Sequence, residues 1–130
     1  MNSIKYLKQI ALSWAICISI GALGAHWLKT KLTIDQLASF ETGNRYHFYT
    51  NIALMLLILL ECKFEITKFK NIMRFMSLGM ILFSGSIYIL ATKSIHGLEA
   101  VKFLGPVTPI GGVLMITAWV ILVFNIKKMK

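Results

Sequence analysis

The chain has 130 residues, which is the length of a single domain. Hydrophobic residues make up 57% of it and charged residues 15%, whereas about 25% of the residues of a soluble domain are charged. A soluble domain of this size buries only about two-thirds of its surface, so it could not hide so much apolar area. The composition therefore excludes an ordinary soluble domain and predicts an integral membrane protein.

The net charge is +9, from 14 Lys and Arg against 5 Asp and Glu. The longest basic run is the pair Lys127 and Lys128, and the other cations flank apolar stretches, as they do in loops between membrane spans. This distribution argues against nucleic-acid binding. Cys17 and Cys62 fit no metal-binding or redox spacing, and we expect no disulfide between them.

Four segments are long enough to cross a bilayer, which needs about 20 helical residues. They are predicted at residues 9–28, 41–60, 72–91 and 107–125. Residues 22–24 resemble a signal-peptide cleavage site, but the long apolar stretch and the three further spans favour an uncleaved helix. The sequence therefore predicts an all-α fold, a four-helix bundle that forms a single transmembrane domain.

The second span is the least regular, because its uninterrupted apolar run covers only residues 52–60. Thr33 followed by Gln36 has the spacing of a capping box and predicts that one continuous helix begins there and runs to Leu60. The early turns of this helix carry polar residues, several of which then lie at membrane depth. They are Glu41, Asn44, Arg45, His47 and Asn51.

The basic residues also predict an orientation. Nine Lys and Arg lie in the N-terminal tail, the segment 61–74 and the C-terminal tail, against five on the other side. Because cytoplasmic loops carry the excess of Lys and Arg, both termini are expected to face the cytoplasm. The segment 61–74 mixes aromatic and basic residues, which predicts an amphipathic link lying on anionic lipid headgroups.

Polar residues of all four spans converge on the outer half of the predicted bundle. On the second helix Glu41, Asn44, His47 and Asn51 share about one-third of the circumference, and Glu41 precedes Arg45 at the spacing of an ion pair. The predicted cluster, a candidate for ligand binding or for structure, is His26, Glu41, Asn44, Arg45, His47, Asn51, Ser84, Ser86, Tyr88 and Thr108.

Small residues recur at helical spacing and predict close packing between helices. In the first span they recur every four residues, and glycines stand in the third and fourth spans. The predicted packing residues are Ser13, Cys17, Gly21, Ala25, Gly79, Gly85, Gly111 and Gly112.

Ionisable residues within a membrane span point to function by default, but a structural hydrogen-bonded network explains this cluster best. The alternative is binding or transport of a small polar solute, an ion or a lipid headgroup. Metal or haem ligation by His26, His47 and His96 is weakly supported, because the chain has no His-x-x-x-His or Glu-x-x-His pair. Residues 84–86 lack the Gly-x-Ser-x-Gly pattern of a serine hydrolase. We therefore expect no catalytic residue, metal or cofactor.

Four ordered motifs resemble those of one known family. They are Gly21–His26 (GALGAH), Phe40–Gly43 (FETG), Leu82–Tyr88 (LFSGSIY) and Val107–Gly112 (VTPIGG). Together they resemble the small bacterial membrane proteins called domain of unknown function 423, or uncharacterised protein family 0382, which is similar to eukaryotic transmembrane protein 256.

The resemblance implies a multi-pass protein of the bacterial cytoplasmic membrane with four helices, and it implies no particular activity. Members of that family often carry a histidine at the position of Thr50, whereas this chain has His47 one turn earlier. A shift of three residues turns a side chain by about 60°, which weakens any argument for a strictly placed imidazole. The resulting prediction is a structural or accessory membrane protein in contact with anionic lipids, and the sequence leaves open a homo-oligomer.

Overall fold

A computed structural model describes residues 3–97 and 99–129 of the chain. The described residues form five α-helices, two short 3-10 helices and two short strands. The α-helices are α1 (Ser3–His26), α2 (Ile34–Lys63), α3 (Phe69–Ala91), α4 (Lys93–His96) and α5 (Val107–Asn125). The 3-10 helices are Leu28–Thr30 and Glu99–Leu104, and the strands are β1 (Phe64–Ile66) and β2 (Ile126–Met129).

Helix α2 begins at the predicted capping box. The Thr33 hydroxyl accepts a hydrogen bond from the Gln36 backbone N–H at 3.3 Å, and the Gln36 side chain accepts one from the Thr33 N–H at 3.1 Å. These two bonds satisfy backbone donors that the first turn of a helix leaves free. The prediction of one continuous helix from this point is confirmed, and the helix continues beyond Leu60 to Lys63.

Three segments are long and apolar enough to cross a membrane: Ile4–Thr30, Phe69–Ala91 and Val107–Asn125. They correspond to α1, α3 and α5. Helix α2 is longer than any of them, with 30 residues, but polar residues interrupt its apolar sequence. The described chain is therefore an all-α membrane protein apart from its two short strands.

Helix α3 is the central element, because both α2 and α5 pack against it, while α1 packs against α2. The crossing of α3 and α5 is close at Gly79 and Gly111. A Cβ atom at Gly111 would lie 2.7 Å from the Gly79 carbonyl oxygen and closer still to the Phe83 backbone nitrogen. Only residues without a side chain fit such a contact.

The main core lies toward the end of the molecule where α2 joins α3, and it includes Leu57, Ile72 and Met73. At the same end β1 and β2 form a two-stranded antiparallel ribbon. The Thr67 hydroxyl donates to Asn125 Oδ1 at 2.8 Å and ties the link between α2 and α3 to the end of α5.

The segment 61–74 therefore differs from the predicted amphipathic link. It comprises the last residues of α2, strand β1 and the first turns of α3. Ile66 and Phe69 are buried in the main core instead of facing a membrane surface, and Tyr6 of α1 packs edge-on against Phe69. Ile66 ends β1 and Phe69 begins α3, and both belong to the core.

Candidate functional site

A polar network joins α1, α2 and α3 through four consecutive side-chain hydrogen bonds. Asn44 Nδ2 lies 3.2 Å from the Tyr88 hydroxyl, and that hydroxyl lies 3.2 Å from His47 Nδ1. His47 Nε2 lies 3.0 Å from Ser13 Oγ, which donates to Asn51 Oδ1 at 2.7 Å. We call these five residues the polar network.

Donor counting assigns a direction to every bond in the polar network. The single Ser13 hydroxyl proton goes to Asn51 Oδ1, so Ser13 Oγ accepts from His47 Nε2–H. In the neutral imidazole the other nitrogen, Nδ1, is an acceptor and receives the Tyr88 hydroxyl proton. The Tyr88 oxygen in turn accepts from the Asn44 amide. All four bonds therefore run in one direction from Asn44 to Asn51, and His47 carries its proton on Nε2.

Backbone groups of α1 anchor the first member of the polar network. Asn44 Nδ2 also donates to the Cys17 carbonyl oxygen at 2.9 Å, and the Cys17 thiol lies 3.8 Å from the Asn44 carbonyl oxygen. Gly21 lies against the same amide, since a Cβ there would be 2.8 Å from Asn44 Oδ1. Helix α1 thus presents small residues wherever the polar face of α2 approaches it.

Burial separates the inner members of the polar network from its rim. His47 and Asn51 are buried, Asn51 completely, while Ser13, Asn44 and Tyr88 are half-buried. Asn51 Nδ2 has no hydrogen-bond partner among the described residues, nor does Ser84 Oγ, which is also buried. Buried polar atoms of this kind commonly bind an ordered water.

Three residues of the predicted cluster are exposed and take no part in the polar network. His26 is the last residue of α1, and Glu41 lies on the outside of α2; both are exposed. Arg45 is exposed too and donates to Thr42 Oγ1 at 3.4 Å, and the described residues show no ion pair between it and Glu41. Glu41 and Arg45 lie outside the faces of α2 that carry the buried residues His47, Thr50 and Asn51.

Two other predicted residues form a separate contact between α3 and α5. The Ser86 and Thr108 hydroxyls lie 2.6 Å apart, and Ser86 also donates to the Phe83 carbonyl oxygen at 3.0 Å. The predicted cluster therefore divides into four members of the polar network, this second contact, the buried Ser84, which is unbonded among the described residues, and three exposed residues.

Ser13 and Cys17 belong with the polar groups, although the sequence suggested only a packing role for them. The sequence contained a signal for this role, because the Ser13 hydroxyl and the Cys17 thiol lie one turn apart among the small residues of α1 that were predicted to contact a neighbouring helix. A hydroxyl buried in lipid or protein needs a partner, so a serine on a packed stripe indicates a polar residue opposite.

Three of the four small residues predicted to pack on α1 face a neighbouring helix. Ser13, Cys17 and Gly21 face α2, but Ala25 is exposed, and Gly24 is buried instead, with its Cβ position 2.8 Å from the Phe40 ring. At 100° per residue, position 25 lies about 120° from position 13, whereas position 24 lies about 20° from it.

The glycines of α3 and α5 also differ in whether they lie in a close contact between helices. Gly79 and Gly111 form the close crossing, whereas a Cβ at Gly85 would meet nothing within 4 Å. A Cβ at Gly112 would be in ordinary contact with the Phe83 ring, at 3.7 Å. The predicted packing role therefore fits Gly79 and Gly111 and does not fit Gly85.

The three histidines lie in different parts of the molecule. His47 is in the polar network, His26 ends α1, and His96 Nε2 lies 3.1 Å from the Ile89 carbonyl oxygen in the exposed α4 region. Over residues 3–97 and 99–129, no group of three His, Cys, Asp or Glu side chains is arranged to hold a metal ion. The structure does not bring the three imidazoles together.

Thr50 is buried on a different side of α2 from His47. Its hydroxyl donates to the Tyr46 carbonyl oxygen at 2.7 Å and lies 3.5 Å from the sulfur of Met115 on α5. The side chain at this position therefore faces α5, while His47 faces α1 and α3.

Comparison with known proteins gives a consistent family match. The profile of a family described as "Protein of unknown function (DUF423)" matches residues 20–112. A UPF0382 membrane protein of Haemophilus influenzae is 35% identical over 127 residues, which is 97% of this chain and 96% of that protein. No solved structure matches the chain.

Two further relatives extend the match to other bacteria. The UPF0382 membrane protein YwdK of Bacillus subtilis is 34% identical over 114 residues, covering 87% of this chain and 88% of that protein. The UPF0382 inner membrane protein YgdD of Escherichia coli is 29% identical over 131 residues, covering 100% of this chain and 95% of that protein. With its three long apolar helices, the chain is a multi-pass protein of the bacterial inner membrane and belongs to the DUF423 family, the UPF0382 membrane proteins.

Proposed function

We propose that the chain is a small structural or accessory membrane protein whose polar network holds a bundle of four membrane-spanning helices together. In this proposal α2 is the fourth span, and both termini face the cytoplasm. Anionic lipid headgroups contact the basic end of the bundle, and the proposal assigns no catalytic reaction to the protein.

One observation carries this proposal: the polar network joins three helices through bonds between protein side chains. Its four bonds begin at the Asn44 amide and end at the Asn51 amide. An amide side chain does not relay a proton as a hydroxyl or an imidazole can, so neither end of this series of bonds passes a proton on. Asn44, His47 and Asn51 line none of five cavities found among the described residues, whereas Ser13 lines one of them and Tyr88 another.

Inward-facing polar residues also support α2 as a span. An unpaired charged residue at the centre of a bilayer costs about 2.5–3.5 kcal/mol on insertion scales. The polar side chains in the middle of α2, His47 and Asn51, are buried against other helices, whereas the exposed charges Glu41 and Arg45 lie nearer its N-terminal end. Such an arrangement lets a helix with a polar stripe cross the bilayer.

The test compares two network residues with two exposed residues of the same helix. Asn44→Ala and His47→Ala each remove two contacts between helices, worth about 0.6 kcal/mol apiece on average in a membrane protein. We expect both variants to lose several degrees in thermal unfolding, measured by circular dichroism of the purified protein in detergent. Glu41→Ala and Arg45→Ala are the controls and should unfold at the wild-type temperature.

Equal unfolding temperatures for all four variants would contradict the proposal. A gain in stability for Asn44→Ala or His47→Ala would do so more strongly, because proteins keep destabilising polar groups where function requires them.

Binding of a small polar solute is the second candidate, and a single observation favours it. Asn51 Nδ2 and Ser84 Oγ are buried without hydrogen-bond partners in the described part of the chain. A bound water satisfies such atoms as well as a transported solute does. Loss of stability in Ser84→Ala, whose hydroxyl has no partner among the described residues, would indicate structural water, whereas a gain would favour a solute site.

A further inference from the structure

A groove of about 440 Å³ lies between α2 and α5, on a side of α2 that the polar network does not use. One wall is formed by α2 from Tyr46 to Ala53, and the other by α5 from Gly112 to Trp119. The ring of Phe83 on α3 lies on its floor and packs against Tyr46 with ring centroids 4.8 Å apart. Its volume falls in the usual range of ligand pockets, about 300–1,000 Å³.

The groove lies at the middle of a membrane-spanning helix. Gly112 comes five residues after the first residue of α5, Val107, and Trp119 comes six residues before its last, Asn125. A helix of this length is about as long as the hydrocarbon core is thick. The walls therefore stand near the centre of the bilayer, where the surrounding molecules are acyl chains.

The lining of the groove is mainly apolar. The Thr50 hydroxyl is already bonded to the Tyr46 carbonyl oxygen at 2.7 Å, and the other polar side-chain atoms are the hydroxyls of Tyr46 and Tyr49 and the indole nitrogen of Trp119. The floor at Phe83 offers no polar atom, so the groove suits an apolar occupant.

The size of the groove argues against a helix of a second copy of this chain. Each wall extends over seven residue steps, about 10 Å. Over that length a packed helix would touch the groove through only about two turns. The exposed surface of the walls is also a small fraction of the about 800 Å² that each partner buries in a standard interface. A single extended hydrocarbon chain suits both the length of the groove and the small exposed surface of its walls.

We propose that this groove binds one acyl chain of a membrane phospholipid, which lies between α2 and α5 over the ring of Phe83. The site is separate from the polar network, and the proposal holds whether that network is structural or functional.

Photo-crosslinking of the reconstituted full chain tests the proposal. The vesicles contain phosphatidylethanolamine and phosphatidylglycerol with a small fraction of phosphatidylcholine that carries a diazirine near the end of one acyl chain. After illumination, mass spectrometry of peptides compares adducts at Phe83, on the groove floor, with adducts at Val123, which faces outward with 68% of its surface exposed. We expect the Phe83 adduct to be the more abundant.

Two glycine variants make a matched pair. The Cβ position of Gly112 is in contact with the Phe83 ring, at 3.7 Å, so Gly112→Leu fills the groove. Gly85→Leu is the control, because its Cβ position has open space around it and Gly85 does not line the groove. The ratio of Phe83 to Val123 adducts should fall about tenfold in Gly112→Leu and stay at the wild-type value in Gly85→Leu.

If Gly112→Leu does not fold, Ala53→Leu takes its place, because it narrows the groove from the opposite wall. The proposal is wrong if filling the groove leaves the adduct ratio unchanged, or if the wild type is labelled at Val123 and not at Phe83. It is also wrong if the lipid does not label Phe83 and a cross-linked dimer forms, because a second copy of the chain would then cover the groove.

Discussion

Tyr88 is the residue that connects α3 to the rest of the polar network. Its oxygen accepts from Asn44 Nδ2 and its proton goes to His47 Nδ1, both at 3.2 Å. Its ring packs against Phe40 with centroids 5.1 Å apart. One side chain therefore combines two hydrogen bonds with aromatic packing, and the two contributions can be separated by removing the hydroxyl alone.

Tyr88→Phe should destabilise the protein by about 1–2 kcal/mol, because it leaves His47 Nδ1 without its donor and removes one of the acceptors of the Asn44 amide, which keeps its bond to the Cys17 carbonyl oxygen. Tyr46→Phe is the matched control, since the Tyr46 hydroxyl makes no hydrogen bond within the described residues while its ring packs on Phe83. Chemical unfolding in mixed micelles measures both variants. Equal stability of the two would show that the Tyr88 hydroxyl bonds contribute nothing.

For individual residues, the sequence correctly predicted that polar side chains of α2 and α3 form a cluster, but it did not predict which of them are in contact. Asn44, His47, Asn51 and Tyr88 come together, but Glu41 and Arg45 sit on the exposed side of the same helix. Helical spacing gives angles around one axis. It does not say which angle faces a neighbour, and one-third of the circumference of α2 is wide enough to include both buried and exposed positions.

At the scale of elements, the closest approach between helices is the crossing of α3 and α5. It depends on Gly79 and Gly111, whose backbones meet without intervening side chains. The neighbouring Gly112 faces the groove between α2 and α5 instead. Two adjacent glycines in one helix thus have different roles, which a single-methyl substitution distinguishes.

Gly111→Ala should cost about 2 kcal/mol or more, because its methyl group would overlap backbone atoms of α3, which cannot move aside as a flexible side chain can. Gly112→Ala should be tolerated, since its methyl group is in ordinary contact with the Phe83 ring. Thermal unfolding of the two purified variants provides the measurement. A stable Gly111→Ala variant would mean that the two helices separate more easily than this crossing implies.

The two ends of α2 differ in how well the sequence predicts them. Thr33 and Gln36 predicted the start of the helix, because a capping box involves residues within one turn. The residues that follow α2 looked like a surface link, whereas they form β1, which pairs with β2 more than fifty residues later. Pairing over such a separation leaves no local signal.

At the scale of the whole molecule, three segments meet at one end. The start of α1, the link between α2 and α3, and the C-terminal strand lie there together, as the contact of Tyr6 with Phe69 and the pairing of β1 with β2 show. These are the segments to which the sequence assigns nine of the 14 Lys and Arg. Such a basic end is expected in the cytoplasm.

Cys62, which is exposed in the last turn of α2, reports on this orientation. A membrane-impermeant maleimide should leave it unlabelled in intact spheroplasts and label it after lysis. Lys31→Cys in a Cys62→Ser background is the control for the opposite end, and it should be labelled in intact spheroplasts. The buried Cys17 should stay unlabelled in both. Labelling of Cys62 before lysis would overturn the proposed topology.

The sequence by itself determined the class of this protein, the start of α2 and its family. Composition excludes a soluble domain, a capping box lies within a single turn, and the family motifs are local strings of residues. Only the tertiary structure decided which polar residues join into a network, that Ser13 on α1 takes part in it, and where the groove over Phe83 lies. These features depend on the rotation of each helix against its neighbours, which packing across the whole bundle sets and no single segment encodes.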